Sequence, residues 1–180
     1  LSFRHFDGGA SATVTRAGFA MADAVTVLPW DPVRDRVLVI EQFRYGPYLR
    51  GDPNPWSLEP IAGRIDPGET PEAAARREAE EEARLQRRQV REAAASGAAR
   101  CCRTPGAVRA YLISYVAQAD LPDSAAGLAG LASEAEDIRA HVIGFERLMA
   151  LVASGEAENG PLLVSALWLA ANRERLRRGG

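Results

Sequence analysis

Two short runs, Ala24-Val-Thr-Val-Leu-Pro29 and Val37-Leu-Val-Ile-Glu-Gln-Phe43, are apolar at nearly every position and flank the turn sequence Asp31-Pro-Val-Arg-Asp35. A strand that alternates apolar with polar residues can leave one face in water, whereas one that is apolar at successive positions needs cover on both faces. Pro and Asp between the runs favour a tight reversal. The pattern predicts two buried, returning strands in a sheet covered by helices, an α/β class. Further strands are predicted over Trp56 to Glu59, Ala99 to Arg103, Arg109 to Gln118 and Asp137 to Phe145. A helix opens at Thr70-Pro71, with Thr as cap and Pro at the first helical position, and runs to about Leu85. Two more span Glu146 to Ser154 and Pro161 to Arg178, the last with Trp168 and Leu169 on an apolar stripe. At the start of the chain, Leu1 to Phe6 and Ser11 to Arg16 flank Asp7-Gly8-Gly9 and read as a short hairpin. Tyr45 to Pro55 and Ala119 to Glu136 read as loops; the second is long enough to be of the functional or mobile kind.

The 180 residues fit one domain, and 47% hydrophobic with 26% charged residues is a globular profile. A formal net charge of -2 gives no general attraction to nucleic acid or to an anionic membrane. Every basic side chain is Arg rather than Lys, a uniform usage that looks like compositional bias. Cys101 and Cys102 are adjacent, too close for an ordinary structural disulfide, and suit a reducing cytoplasm. No apolar run reaches transmembrane length and no signal peptide opens the chain. A start at Leu1 rather than Met is expected of a trimmed N-terminus or of a piece of a longer protein. Trp30, Trp56 and Trp168 are expected in core or interface, and the isolated His5 and His141 carry no site of their own.

The chemistry concentrates between Gly63 and Leu85. On the predicted helix, Glu78, Glu81 and Glu82 stand at i, i+3 and i+4 and share one face. Like charges at that spacing repel, so the face needs either open water or a cation. Three carboxylates form a hard oxygen set suited to magnesium or manganese, which borrows further ligands from substrate phosphates. A plain solvated helix face is the usual outcome for an acidic run. It leaves unexplained the tight entry through Gly63, Pro67 and Gly68, and Glu69 near the helix start, where the dipole favours a carboxylate.

The segment resembles the Nudix box, G-x5-E-x7-R-E-U-x-E-E-x-G-U with U apolar. Gly63, Glu69, Arg77, Glu78, Glu81 and Glu82 fall on its fixed positions, with Ala79 and Leu85 on apolar ones. Arg84 stands where the box has Gly. Either it adopts the left-handed turn at a cost of roughly 1 kcal/mol, or the helix runs on by a residue. The likeness extends through Leu28 to Asp35, Ile40 to Arg44, Trp56 to Glu59 and Glu134 to Val142. It points to the bacterial ADP-ribose pyrophosphatase branch, which includes GDP-mannose hydrolases and tellurite-resistance relatives. This resemblance implies an α/β/α sandwich with a mixed sheet, residues 21–180 as the Nudix hydrolase domain, and residues 1–20 as shortened N-terminal dimerisation strands.

It also implies roles. Glu78, Glu82, Glu136 and the Ala62 carbonyl bind Mg2+, or Mn2+ in its place, with Glu81 contributing. Glu134 is the general base and Arg77 braces the box, against a carboxylate such as Glu69. Arg44 and Arg16 orient substrate, Arg16 reaching the partner subunit's site, with Arg64 and Thr104 beside the substrate. The expected reaction is hydrolysis of ADP-ribose to AMP and ribose 5-phosphate by a cytoplasmic homodimer, with no nucleic acid or membrane partner. GDP-mannose or another nucleotide sugar is the alternative substrate, and a non-catalytic ADP-ribose-binding module is the alternative of another class. A polar insertion carrying a Glu, usual in the family after the segment ending here at Val108, is missing. Glu59 is expected either to support the site or simply to satisfy a hydrogen bond.

Overall fold

The computed structural model describes residues 1–86, 106–131 and 136–178, together with the backbone of residues 90–102. In chain order the elements are β1 (Phe19–Ala20), β2 (Ala24–Asp31), β3 (Arg36–Phe43), α1 (Tyr45–Arg50), β4 (Trp56–Glu59), β5 (Ile61–Arg64), α2 (Pro71–Ala83), β6 (Val90–Cys102), β7 (Val108–Arg109), β8 (Tyr111–Ala119), one 3-10 turn (Asp123–Ala125), β9 (Gly127–Ala129), β10 (Ile138–Gly144), α3 (Phe145–Ser154) and α4 (Gly160–Arg177).

The main sheet runs β6-β8-β2-β3-β10-β9. Its β2–β8 pair is parallel and its other pairs are antiparallel, a mixed sheet. Side chains alternate across the apolar runs. Val25, Val27, Leu38 and Ile40 face α2 in one core, with Ile61, Tyr115 and Ile138. Leu28, Trp30, Val37 and Val39 face α3 and α4 in the other, against Phe145, Leu148, Leu162 and Leu169. Both faces of β2 and β3 are covered, as their composition requires.

The β2–β3 hairpin closes only beside its turn, at Trp30↔Val37 and Asp31↔Arg36. Asp31 Oδ1 accepts the N–H groups of Val33 and Arg34 at 2.9 and 3.1 Å, fixing the reversal. Beyond it the strands part, and the opening is filled by β4 on β3 and β5 on β2. This parted end of the sheet is where the site lies.

Several elements depart from the sequence expectation. Tyr45 to Arg50, expected as loop, forms a six-residue helix closed by Gly51 in the left-handed region at φ 84°. Ile61–Arg64, for which no element is expected, forms β5, and the long 119–136 loop contains β9, paired with β10. The N-terminal hairpin is present in outline, with an Arg4↔Ala10 bridge and Ser11 N–H to Phe3 carbonyl at 2.9 Å. It lies almost wholly exposed, Phe3 and Phe6 included, and rejoins the domain where Phe19 pairs with Val108. No helix among the described residues is long and apolar enough to cross a membrane.

Candidate active site

Thr70 caps α2 by accepting the Ala73 N–H at 3.2 Å, and Pro71 opens the first turn. The inward face carries Ala74, Ala75, Ala79 and Ala83, so the helix can approach the sheet closely. Glu78 and Glu82 lie on that same face, 9% and 2% exposed. The solvated-face alternative therefore fails for these two carboxylates, whereas Glu80 on the outer side is exposed.

Gly63 explains how Glu78 fits. A Cβ built at residue 63 would overlap the Glu78 carboxylate, so only glycine lets that side chain lie across β5. Next to it, the Ala62 N–H donates to Glu82 Oε2 at 2.9 Å. Arg77 gathers the rest. Its Nη1 donates to Glu78 Oε1 at 2.6 Å and to Glu81 Oε2 at 3.0 Å. Its Nε and Nη2 reach the two oxygens of Glu69 at 3.2 and 3.1 Å, and Nη2 also reaches the Arg64 carbonyl at 2.9 Å. One guanidinium thus ties the entry loop to three carboxylates and holds Glu69 below its usual pKa.

Arg84 takes the left-handed conformation, φ 52°, in place of the glycine of the box. Its N–H reaches the Glu80 carbonyl at 2.9 Å, and the next N–H, of Leu85, reaches the Ala79 carbonyl at 3.0 Å, so the helix stops at Ala83 rather than continuing. Gly130 N–H then bonds the Glu81 carbonyl at 3.3 Å, docking the distant loop on the end of α2. On that loop, the Glu136 carboxylate accepts the Leu131 N–H at 3.2 Å.

Burial is the main reason that Glu78 is pushed up to about 7 and Glu82 to about 8, with the negative charges of Glu81 and Glu136 adding to it at Glu78 and those of Glu78 and Glu136 at Glu82. Glu136 is therefore within electrostatic reach of both. Among the described residues no three acidic or imidazole side chains converge as a finished metal cage; Arg77 and the Ala62 N–H hold the oxygens instead. The donor set nonetheless fits a hard divalent cation. It consists of oxygens alone, and the burial that raises the pKa of Glu78 and Glu82 is what a bound cation would offset.

Arg44 completes the described part of the site. Its guanidinium makes a two-pronged pair with Glu59, Nε to Oε1 at 2.8 Å and Nη2 to Oε2 at 2.6 Å. The charges of Glu82 and Glu136 also act on it. Gln42, on the same sheet face as Ile40, is buried, and its amide nitrogen has no partner among the described residues. Arg64 is exposed at the entry loop. Arg16 lies on the exposed N-terminal segment, where Nη1 bonds the Thr15 carbonyl at 2.9 Å. Glu134 and Thr104 lie outside the described residues. A cleft of about 760 Å³ borders the box at Glu69 and is walled by Asp23, Val108 and Tyr111. Another, of about 710 Å³, lies on the opposite sheet face beside Val39 and His141.

A sheet covered on both faces and parted at one end receives a carboxylate-bearing helix and its glycine entry loop, and so places an acidic cluster at the parted end of an α/β fold. The family model for the NUDIX domain matches residues 21–159, and the chain belongs to that family. The ADP-ribose pyrophosphatase of Escherichia coli (strain K12) is 37% identical over 177 residues, covering 97% of this chain and 81% of its own. The ADP-ribose pyrophosphatase of Haemophilus influenzae is 33% identical over 182 residues, 99% of this chain and 81% of its own. The GDP-mannose pyrophosphatase of Enterobacter sp. (strain 638) is 27% identical over 154 residues, 86% and 76% of the two chains. Family and relatives make this a hydrolase of the nucleoside-diphosphate type, in a family that generally uses a divalent metal.

Proposed function

We propose that the chain hydrolyses the diphosphate linkage of ADP-ribose in the presence of magnesium, with manganese able to replace it. Water adds across the P–O–P bridge, and the products are AMP and ribose 5-phosphate. The observation that carries this reading is the burial of Glu78 and Glu82 side by side against Ala62 and Gly63, with a backbone N–H as the hydrogen-bond partner of Glu82. The relatives named as ADP-ribose pyrophosphatases support the substrate.

Glu78, Glu82, Glu136 and the Ala62 carbonyl would hold the ions, with Glu81 at the margin. Bound there, a divalent ion supplies neutralisation of the diphosphate's negative oxygens. Arg77 orients Glu78 and Glu81 through its bonds to both. Glu134 takes the proton of the attacking water as the carboxylate base. Arg44 binds and orients the diphosphate, with Arg64 and Thr104 beside it. Residues 1–20 form the dimerisation arm of a cytoplasmic homodimer, and Arg16 reaches the partner's site; the exposure of Phe3, Phe6 and Phe19 supports such an arm.

The test is release of AMP from ADP-ribose with magnesium and with chelator, beside a panel that includes GDP-mannose, which the 27% relative favours as second substrate. Magnesium-dependent AMP release supports the reading. Preferential turnover of GDP-mannose transfers the assignment to that substrate. Tight calorimetric binding of ADP-ribose without product would make the chain a binding module instead.

A further inference from the structure

We infer that Glu59 is a positioning residue that orients Arg44 toward the substrate diphosphate and keeps it off the acidic cluster. This rests on the hydrolase reading above. Arg44 follows the last residue of β3, and its backbone N–H bonds the Pro55 carbonyl at 2.9 Å. That fixes the main chain but leaves a long, flexible side chain free to choose among carboxylates. The Glu82 and Glu136 charges both act on Arg44, so both compete for it. Were Arg44 to pair with either, it would occupy oxygens that the cation needs and turn its fork toward the cluster rather than hold it in one orientation toward a phosphate.

Glu59 prevents this by geometry. It stands on β4 directly opposite Ile40, on the α2 side of the sheet, and is 4% exposed. Its two oxygens engage Nε and Nη2 at 2.8 and 2.6 Å. A planar fork held along one edge has its orientation fixed. The bonds to Glu59 use that edge alone, leaving Nη1 on the other, and the Arg44 side chain is 42% exposed against 6% for that of Glu59. The carboxylate is buried and committed, while the guanidinium keeps one side open. Both Glu59 oxygens are committed to Arg44, whereas Arg77 bonds one oxygen of Glu78 and the Ala62 N–H one oxygen of Glu82, which separates Glu59 from those two despite its place beside the box.

The experiment measures steady-state ADP-ribose hydrolysis at saturating magnesium for the full chain and for Glu59→Gln, Arg44→Lys and the double variant, with thermal midpoints as the check on folding. Glutamine keeps the shape of Glu59, and the half-exposed Arg44 can be hydrated when its partner is neutral. Glu59→Gln is expected to raise KM about tenfold or more while kcat stays within about threefold, because the lost contact binds substrate before and during reaction alike. Arg44→Lys is expected to raise KM to a similar degree, since an ammonium cannot form the fork. The double variant should be no worse than Arg44→Lys, because Glu59 acts through Arg44.

A purely structural role would lower the midpoint and leave KM alone. Wild-type KM in folded Glu59→Gln, or KM increases that multiply in the double variant, would overturn the inference. If Glu59→Gln does not fold, Glu59→Asp, which keeps the charge but shortens the reach to Arg44, takes its place: a raised KM with kcat little changed upholds the inference, and wild-type KM overturns it. Absence of turnover in the wild type would remove the hydrolase reading itself, and this inference with it; turnover with an unaffected Glu59→Gln removes only the role of Glu59.

Discussion

Replacing Gly63 by alanine should separate the site from the fold. Gly63 lies within β5 opposite Val25 and is not among the residues with positive φ, so its backbone accepts alanine without strain. Alanine is favoured over glycine inside a strand by roughly 0.5–1 kcal/mol. The new Cβ, however, falls on the Glu78 carboxylate. The ladder pins β5 to β2 and the alanine face packs α2 on the core, so the end of the Glu78 side chain must move. Its 2.6 Å bond from Arg77 is lost, while Arg77 keeps Glu69 and Glu81. A charge-assisted bond is worth about 1.5–3 kcal/mol, and the alanine gain offsets part of it. The net cost is about 1–2 kcal/mol, or a midpoint lower by roughly 2–8 °C for a domain of this size. Turnover should fall much further, by about 100-fold or more, if Glu78 holds the cation as proposed. Thermal melts and AMP release on one preparation read both quantities. Gly63→Ala with turnover near wild type would refute the claim that Glu78 must lie over Gly63, and collapse of the fold would refute the energetic argument.

Glu82→Gln should keep the acceptor for the Ala62 N–H and lose the charge. Magnesium-dependent turnover is expected to disappear while stability changes by no more than about 1 kcal/mol, checked by urea titration. The folded-state pKa values of Glu78 and Glu82, raised from 4.5 to about 7 and about 8, fix the sign of a pH effect in the metal-free protein. The unfolded chain releases these protons first, so this contribution is fully present below pH 4.5 and is lost as pH rises toward 8. The midpoint in chelator should fall across that window and recover with magnesium; a flat profile in chelator would contradict the burial argument. Arg84→Gly should raise stability by about 0.5–1 kcal/mol, seen as a midpoint about 1–4 °C higher, by relieving a left-handed non-glycine residue.

Much of this architecture could be read from residue order because local and global preferences agree there. The apolar runs of β2 and β3 carry the demand for cover on both faces, and Thr70-Pro71 marks the start of α2. The short elements were illegible for a reason of the opposite kind. Residues 45–50 contain Gly46 and Pro47 and bury no side chain, so nothing periodic distinguishes α1 from a loop. β5 and β9 exist through pairing with β2 and β10 respectively, and a strand of three or four residues leaves little pattern of its own. In the site, helical spacing put Glu78 and Glu82 on one face, but only the fold turns that face inward. The steric need for Gly63 and the grip of Glu59 on Arg44 join residues 15 positions apart in sequence and could not be derived from spacing.

The end of α2 joins these points. Had the helix continued through Arg84, the Leu85 N–H would have met the Glu81 carbonyl in the ordinary i to i+4 pattern. With Arg84 left-handed, Leu85 instead bonds the Ala79 carbonyl and turns into the core at 2% exposure. The Glu81 carbonyl is thereby free for the Gly130 N–H, and that bond seats the loop bearing Glu136 beside Glu78 and Glu82. Stopping the helix is therefore part of building the site, since the same terminus that breaks the backbone ladder supplies the acceptor for the loop. Arg84 departs from the box in residue type and keeps its backbone shape, so it is the turn, and not the glycine, that frees the Glu81 carbonyl to receive the Gly130 N–H.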